Sequence, residues 1–593
     1  MAISRKKKKW LIIVGIILAI LIILLFSLNS ILSRQADSYI RSELSKVDTA
    51  AYTVDFEKIR VNLFTGSVNV YNISIKPSDT AMADLRTNHL APSVAEVSIS
   101  RIKVARLALL KAMKGEVFNI GSLSIQDPDI TIYGPGGMFS GKKNSKDEQD
   151  TASSLANIEL PVKEFYLNNF DLENANFKWM DVSKDKVVAE THNLTISVDE
   201  LWVHHPDGDT SAHVLDLDEV EISLESHFMD LPGDLYSIST GALEMSYHDK
   251  VLSLDSIKVI PKYPKGKFER VVGKQTDRFD ISIGNLTLTD IEYDSLVSKK
   301  IIIDKVKLIN PIAEIYRDKR VARDMSIFPK LFQTSLSLLT IPIDVKEVTV
   351  EGADINYQER LEGAPQAGQV IFKQFDILVG GVNNDPELTK EGHTMTVDGT
   401  CLFMGTAHLT IHMDLPIGHK TELFSYYGNL QTMNAPAMNP MIEHMAFVAA
   451  DAGTIHSAKF YGLAEKDTII GRMEFLYNDL KANIIKKQKE KKQGVKENKF
   501  LSAIAGTVLI KNNPVKDKPV RICRMYFVRD PNKGFFNYIW KAVQSGLVHT
   551  LISGKKQQLH DMNWAEFESK WYTTLENDRK TYSASEQKHK KKK

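Results

Sequence analysis

From Tyr52 onward the apolar residues of this chain recur with a period of two. Val54, Phe56, Ile59, Val61 and Leu63 lead to Gly66, and Val68, Val70, Ile73 and Ile75 follow it. Successive side chains of a strand point to opposite faces, so this spacing predicts a hairpin with one buried face and a glycine at its turn. The alternation returns at residues 97–104, 220–224, 252–259 and 281–288. Long amphipathic helices are nearly absent between residues 50 and 430, where residues 105–114 offer one short candidate. Such patterning confines the chain to a mainly β fold.

The alternation is also duplicated. Leu123-Ser-Ile125-Gln-Asp127-Pro128-Asp-Ile130-Thr-Ile132-Tyr133 matches Val306-Lys-Leu308-Ile-Asn310-Pro311-Ile-Ala-Glu-Ile315-Tyr316 at a separation of 183 residues. Residues 162–172 match 345–355, including Val348, Val350 and Ile355, at 183 again, and residues 194–198 match 375–379 at 181. Three matches in order favour a repeated β-module, with turns at Asp127-Pro128, Asn310-Pro311 and Gly352, where proline fixes φ and glycine permits positive φ. Either a sheet that continues by repetition or two closed sandwiches satisfies this pattern. A continuing sheet would gather Leu123, Ile125, Ile130, Ile132, Val306, Leu308, Ile315, Val348, Val350 and Ile355 on one apolar side.

The ends of the chain obey different rules. Arg5, Lys6, Lys7, Lys8 and Lys9 precede an uncharged run over residues 10–28, which opens Trp10-Leu11-Ile12 and closes on Leu28. Nineteen helical residues span roughly 28 Å, close to the thickness of a bilayer core. The run exceeds the apolar core of a cleaved leader and lacks a small-x-small site, so an uncleaved single-pass anchor is expected. The basic cluster places the N-terminus in the cytoplasm and the bulk of the chain across the membrane. At the other end Phe535, Phe536, Ile539, Trp540, Val543 and Leu547 lie on a helical stripe flanked by lysines. That composition suits a helix at a membrane interface, and equally a helix capping the β-body.

The expected organisation is a basic N-terminus (1–9), an anchor (10–28), a membrane-exit helix (29–50), and a first β-module region (51–300) with a flexible loop at 134–157. A second β-module region (301–430), a C-terminal β region (431–530) with a charged loop at 485–499, an amphipathic helix (531–555) and a charged tail (556–593) follow.

Signals for chemistry are weak. Gly136-Gly-Met-Phe-Ser-Gly141-Lys142-Lys143 approaches a phosphate-binding loop but has Lys143 where a magnesium-binding hydroxyl belongs, and no helix pattern follows. His204, His205, Asp207 and Asp209 surround Pro206 and Gly208, the composition of a solvated turn. The two cysteines, Cys401 and Cys523, make no metal spacing, and a net charge of +1 gives no pull toward nucleic acid. The sequence nominates no catalytic residue, metal or cofactor.

In layout the chain resembles the AsmA-like family of bacterial envelope proteins. The resemblance rests on the basic start and apolar run, the hairpin around Gly66, the Leu-x-Ile-x-Asp-Pro-x-Ile-x-Ile-Tyr unit, Gly428-Asn-Leu430, Gly471-Arg-Met-Glu-Phe-Leu-Tyr477 and Arg529-Asp-Pro-Asn-Lys-Gly-Phe535. It covers roughly residues 5–555, through motifs that are mostly strand alternation. The resemblance implies an inner-membrane anchor and a periplasmic body shaped as an elongated, twisted, open β-groove. It also implies a non-enzymatic role: acyl chains of phospholipid held in the groove, in lipid transport or outer-membrane assembly. A tethered scaffold that binds envelope assembly proteins is the alternative, and an envelope hydrolase built on a buried His–carboxylate pair a weaker one.

Overall fold

The computed structural model describes residues 52–62, 66–87, 92–107, 117–134, 164–204, 214–385, 387, 392–485 and 508–551. The chain is mainly β, and it divides after Lys258 into two compact units.

In the first unit β1 (Tyr52–Asp55) and β2 (Lys58–Asn62) pair in turn with β3 (Ser67–Pro77), around the positive-φ Gly66. Next comes α1 (Asp79–Thr87), where Ser78 Oγ accepts a hydrogen bond from Ala81 N at 3.2 Å and Leu85 is buried. β4 (Val94–Leu107) pairs with β3, and both β5 (Val117–Gln126) and β6 (Asp129–Gly134) pair antiparallel with β4. Strand pairing thus takes residues 105–107 out of the short helix expected over 105–114. β7 (Glu164–Asp181) runs parallel to β5 and β6, and β8 (Lys186–His204) runs antiparallel to β7. β9 (Val214–Asp216), β10 (Glu219–Leu224) and β11 (Ser226–Asp230) all pair with β8. β12 (Tyr236–Thr240) and β13 (Leu243–Ser246) add to β11 and β10, and β14 (Val251–Pro261) pairs with both of them.

The second unit opens with α2 (Phe268–Val272), β15 (Asp277–Ile291) and α3 (Tyr293–Val297). β16 (Ile301–Ile309) and β17 (Ile312–Asp318) both pair antiparallel with β15. After α4 (Phe332–Ser337), β18 (Ile343–Arg360) runs parallel to β16 and β17, and β19 (Gly368–Asn383) runs antiparallel to β18. This is the pairing of β4 to β8 over again. Positive-φ residues recur at matching places: Arg106 and Asp290, Asp127 and Asn310, Asn174 and Gly352, Asn193 and Gln374, Glu200 and Gly381. So do the turn hydrogen bonds. Asp127 N donates to Glu173 O at 2.9 Å where Asn310 N donates to Glu351 O at 2.8 Å. Bulges fall at Leu172/Ala175/Phe177 in one copy and at Val350/Ala353/Ile355 in the other.

The strand pairing corrects one expected correspondence. Leu172 is matched by Val350, a separation of 178 residues, whereas the sequence pairing of 162–172 with 345–355 sets it against Ile355. A short alternating string matches itself in several registers, and the connection that precedes the strand differs in length between the copies, from Gly134 to Glu164 in one and from Asp318 to Ile343 in the other.

Beyond β19 the second unit continues through β20 (Thr394–Phe403), β21 (Ala407–Pro416) and β22 (Phe424–Leu430), each antiparallel to the strand before it. The short β23 (Met433–Asn434), a 3-10 turn (Ala435–Met438) and α5 (Asn439–Met445) precede β24 (Val448–Ala464), which pairs with β22 and β23. β25 (Thr468–Ile484) pairs with β24, and β26 (Val508–Leu509) and β27 (Ile522–Val528) pair with β25. α6 (Phe535–Leu551) lies over this end, with Phe535, Tyr538, Ala542 and Val543 joining Phe424, Ile469, Met473 and Met525 in the largest core cluster.

Candidate functional site

Residues paired across neighbouring strands share a face of the sheet. In the first unit one such row runs Ile59, Val70, Ile102, Ile125, Leu172, Ile196, Ile222, Met245 and Leu252, apolar on nine successive strands. A parallel row runs Val61, Val68, Val104, Leu123, Phe170, Val198 and Val220. Ile130 sits between Val97 and Phe177, and Ile132 between Ala95 and Trp179, in the same cluster as Leu123 and Ile125. The residues in between form the opposite face: Arg60, Asn69, Lys103, Ser124, Asp171, Ser197, Glu221 and Ser246. Ser197 Oγ donates to Asp171 Oδ1 at 3.2 Å there.

Burial along the longest row is uneven. Ile59, Val70 and Ile102 are buried, but from Ile125 to Leu252 every member is only half-buried. No described helix of the first unit other than α1 is available to lie over the rest, and α1 packs at Val94 and Tyr133.

The second unit carries the corresponding row: Leu286, Leu308, Val350, Ile377, Gly399, Ile411, Gly428, Phe460, Met473 and Cys523. Val306 pairs with Leu288 and Val348 on the next row, and Ile315 and Ile355 continue the face through Phe279, Tyr357 and Phe372. Of the ten residues expected on one apolar side, the structure thus places four in these registers of the first unit and six in those of the second. At β22 to β27 the face closes. A Cβ on Gly428 would come within 2.0 Å of the Phe460 ring, and one on Gly462 within 2.3 Å of the Tyr426 ring, so these aromatics lie flat over glycine. Gly546 of α6 lets the helix settle on Met525 and Met473.

That helix uses most of its stripe as a cap. Phe535 and Val543 are buried, and Ile539 and Leu547 pack against the core. Tyr538 donates its hydroxyl proton to Glu465 O at 2.9 Å. Phe536, 78% exposed, and Trp540 remain outward. The Phe332 and Phe535 rings lie 6.4 Å apart, and Asn532 Nδ2 donates to Met325 O and Ile327 O. Exposed Met325, Ile327, Phe328 and Phe332 thus stand beside the start of α6.

Residues 10–28, with the topology charges Arg5 to Lys9, lie outside the described residues, as do residues 136–143, 205–209 and 486–499. Among the described residues no helix is long and apolar enough to cross a membrane, and no group of three or more His, Cys, Asp or Glu is placed to hold a metal ion. Cys401 and Cys523 are both free thiols, and burial pushes Cys401 up to about 12. His412 lies 2.7 Å from Asp398 and 3.4 Å from Asp414 at the surface of the polar face. No protein-family model matches the chain, and no curated protein matches its sequence.

Proposed function

We propose that this chain is a non-enzymatic, AsmA-like envelope protein that carries lipid acyl chains along its apolar sheet face. Residues 10–28 anchor it in the inner membrane, and its body supports phospholipid transport or outer-membrane assembly. One observation carries this reading: an apolar row on nine successive strands whose members beyond the first three are only half-buried. Eight strand spacings of about 4.8 Å give the row roughly 38 Å, room for extended acyl chains. An apolar patch of that extent is costly in water, and covering it with lipid gains about 0.8 kcal/mol per buried methylene.

The test is lipid recovery. Full-length protein extracted from membranes is expected to co-purify with phospholipid, and Ile196→Asp, a half-buried position on the row, to lose most of it while keeping its β circular dichroism. Wild-type protein free of lipid, or a variant with undiminished lipid, would sink the proposal. Crosslinks to envelope proteins without any to lipid would favour the scaffold instead.

A further inference from the structure

A second feature of the second unit lies on the polar side of its sheet. Tyr316 and Gln358 are register partners, and they alternate with Ile315 and Tyr357 of the apolar face. Over them folds the segment that carries α2. Arg278, which pairs with Tyr316, donates from Nε to Tyr263 O at 2.9 Å, and Gln275 N donates to Ala322 O at 2.8 Å. Between this segment and the ends of β17 and β18 lies a cavity of about 540 Å³.

The charge around that cavity is one-sided. Lys265, Lys267, Arg270, Arg320 and Arg360 line it, and no carboxylate does. Two of the five cations are answered from behind. Arg320 donates Nε and Nη2 to Asp318 at 2.8 and 2.7 Å, and Lys265 Nζ lies 2.7 Å from Glu314. Lys267 lies over the Tyr263 ring at 5.4 Å. Among the described residues the guanidinium groups of Arg270 and Arg360 make no hydrogen bond or close ion pair, and the Arg270 charge acts on the buried Asp318 carboxylate from a longer distance. Glu269 stands nearby, fully buried and outside the lining, and burial, helped by the Asp318 charge, pushes its carboxyl upward. Like charges gathered round a concavity repel one another and focus a positive potential into it, which an anion relieves.

We propose that this cavity binds a phosphate-bearing anion, on a lipid headgroup or free. Phosphate is favoured over a carboxylate peptide by the chemistry present. Planar guanidinium groups bind phosphate oxygens in pairs, and lysines add point charge. The cavity is open to solvent on one side, so a headgroup or a free phosphate can enter it. Tyr316 and Gln358 line it together with Arg270 and Arg360. The site stands on its own charge and does not depend on acyl chains lying along the other face.

The experiment uses full-length protein in detergent with two probes, inorganic phosphate and dihexanoyl-phosphatidylglycerol. An arginine-specific dicarbonyl reagent is applied, and modification of Arg270 and Arg360 is followed by peptide mass. Saturable protection of both arginines in wild-type protein is expected. Protection by phosphate alone identifies a free anion as sufficient, and protection by the phospholipid only identifies the headgroup as the source. Direct titration of Arg270→Gln/Arg360→Gln should show binding weakened about 10-fold. Lys459→Gln/Lys481→Gln, which removes two exposed lysines elsewhere, should leave it unchanged. Wild-type arginines modified at the same rate with and without either probe would overturn the proposal. So would equal weakening by both double variants, or protection by a glutamate-rich peptide that phosphate does not displace. Phosphate has no acyl chain, so its protection stays distinct from lipid loss in Ile196→Asp.

Discussion

The row through Ile196 and the row through Met473 follow one rule and meet different fates. Both are built from strand pairs that put apolar residues opposite apolar residues. Around Ile196 the members are half-buried, whereas Met473 is completely buried. The difference is made by what lies on top: α6, and aromatics lying over glycine at Gly428 and Gly462. A two-faced sheet supplies only half of a core. A helix turns that half into a closed interior, and without one the face stays half-buried.

The sharpest way to break this comparison is to truncate one residue in each row. Met473→Ala should cost about 3 kcal/mol, since burial is complete and a cavity is left. Ile196→Ala should cost about 1 kcal/mol, mainly lost transfer energy. Urea unfolding followed by hydrogen exchange on peptides of each unit separates the two, and equal losses would mean that the Ile196 row is covered after all. A smaller contrast lies inside the closed core. The Tyr426 hydroxyl is buried and has no hydrogen-bond partner among the described residues. Tyr477 accepts from Arg521 Nη2 at 3.1 Å and donates to Thr550 O at 3.4 Å. Tyr426→Phe should leave stability unchanged or raise it by about 1 kcal/mol, and Tyr477→Phe should lower it by about 1 kcal/mol. Thermal melts of the two variants check the sign.

The smallest effect concerns pH. The hydrogen bond to Asp398, with the Asp414 charge, holds His412 above the ordinary histidine value. The folded state therefore keeps this proton more tightly than the unfolded chain does. Its contribution is fully present below the unfolded value of about 6.5 and fades as pH rises through the folded one. His412→Gln should remove that slope. Being exposed and screened, the pair should move the melting temperature only slightly, and a wild-type slope of the opposite sign would refute the assignment.

Much of the β architecture could be read from residues alone. Alternation located β2 and β3, and the Asp127-Pro128 and Asn310-Pro311 turns marked both copies of the repeat. The 183-residue separation of the first match holds in the paired strands, because β5 and β6 have β16 and β17 as counterparts. The register of β18 against β7 was not legible. It depends on the connection before each strand, from Gly134 to Glu164 in one copy and from Asp318 to Ile343 in the other, whose different lengths shift the separation. α1, α4 and α5 were missed as well: each is short, and packing holds Leu85, Leu336 and Met441 more than any periodicity announces them. The basic cavity was invisible for another reason. Its cations are spread from Lys265 to Arg360 and meet only because β17 and β18 end beside the α2 segment.

The sequence by itself determined that residues beyond 52 would form strands with one apolar and one polar face, because side-chain direction in a strand depends only on position parity. It also determined that the module would occur twice, and that an aromatic helix would follow near the C-terminus. Only the tertiary structure decided which stretch of the apolar face is sealed. Sealing depends on where α6 lands and on which glycines admit a ring above them, and both are contacts between residues far apart in the chain. The stripe on that helix reads the same whether it meets a membrane or a sheet. Burial of Phe535, Tyr538 and Val543 assigns most of it to the sheet and leaves Phe536 and Trp540 outside.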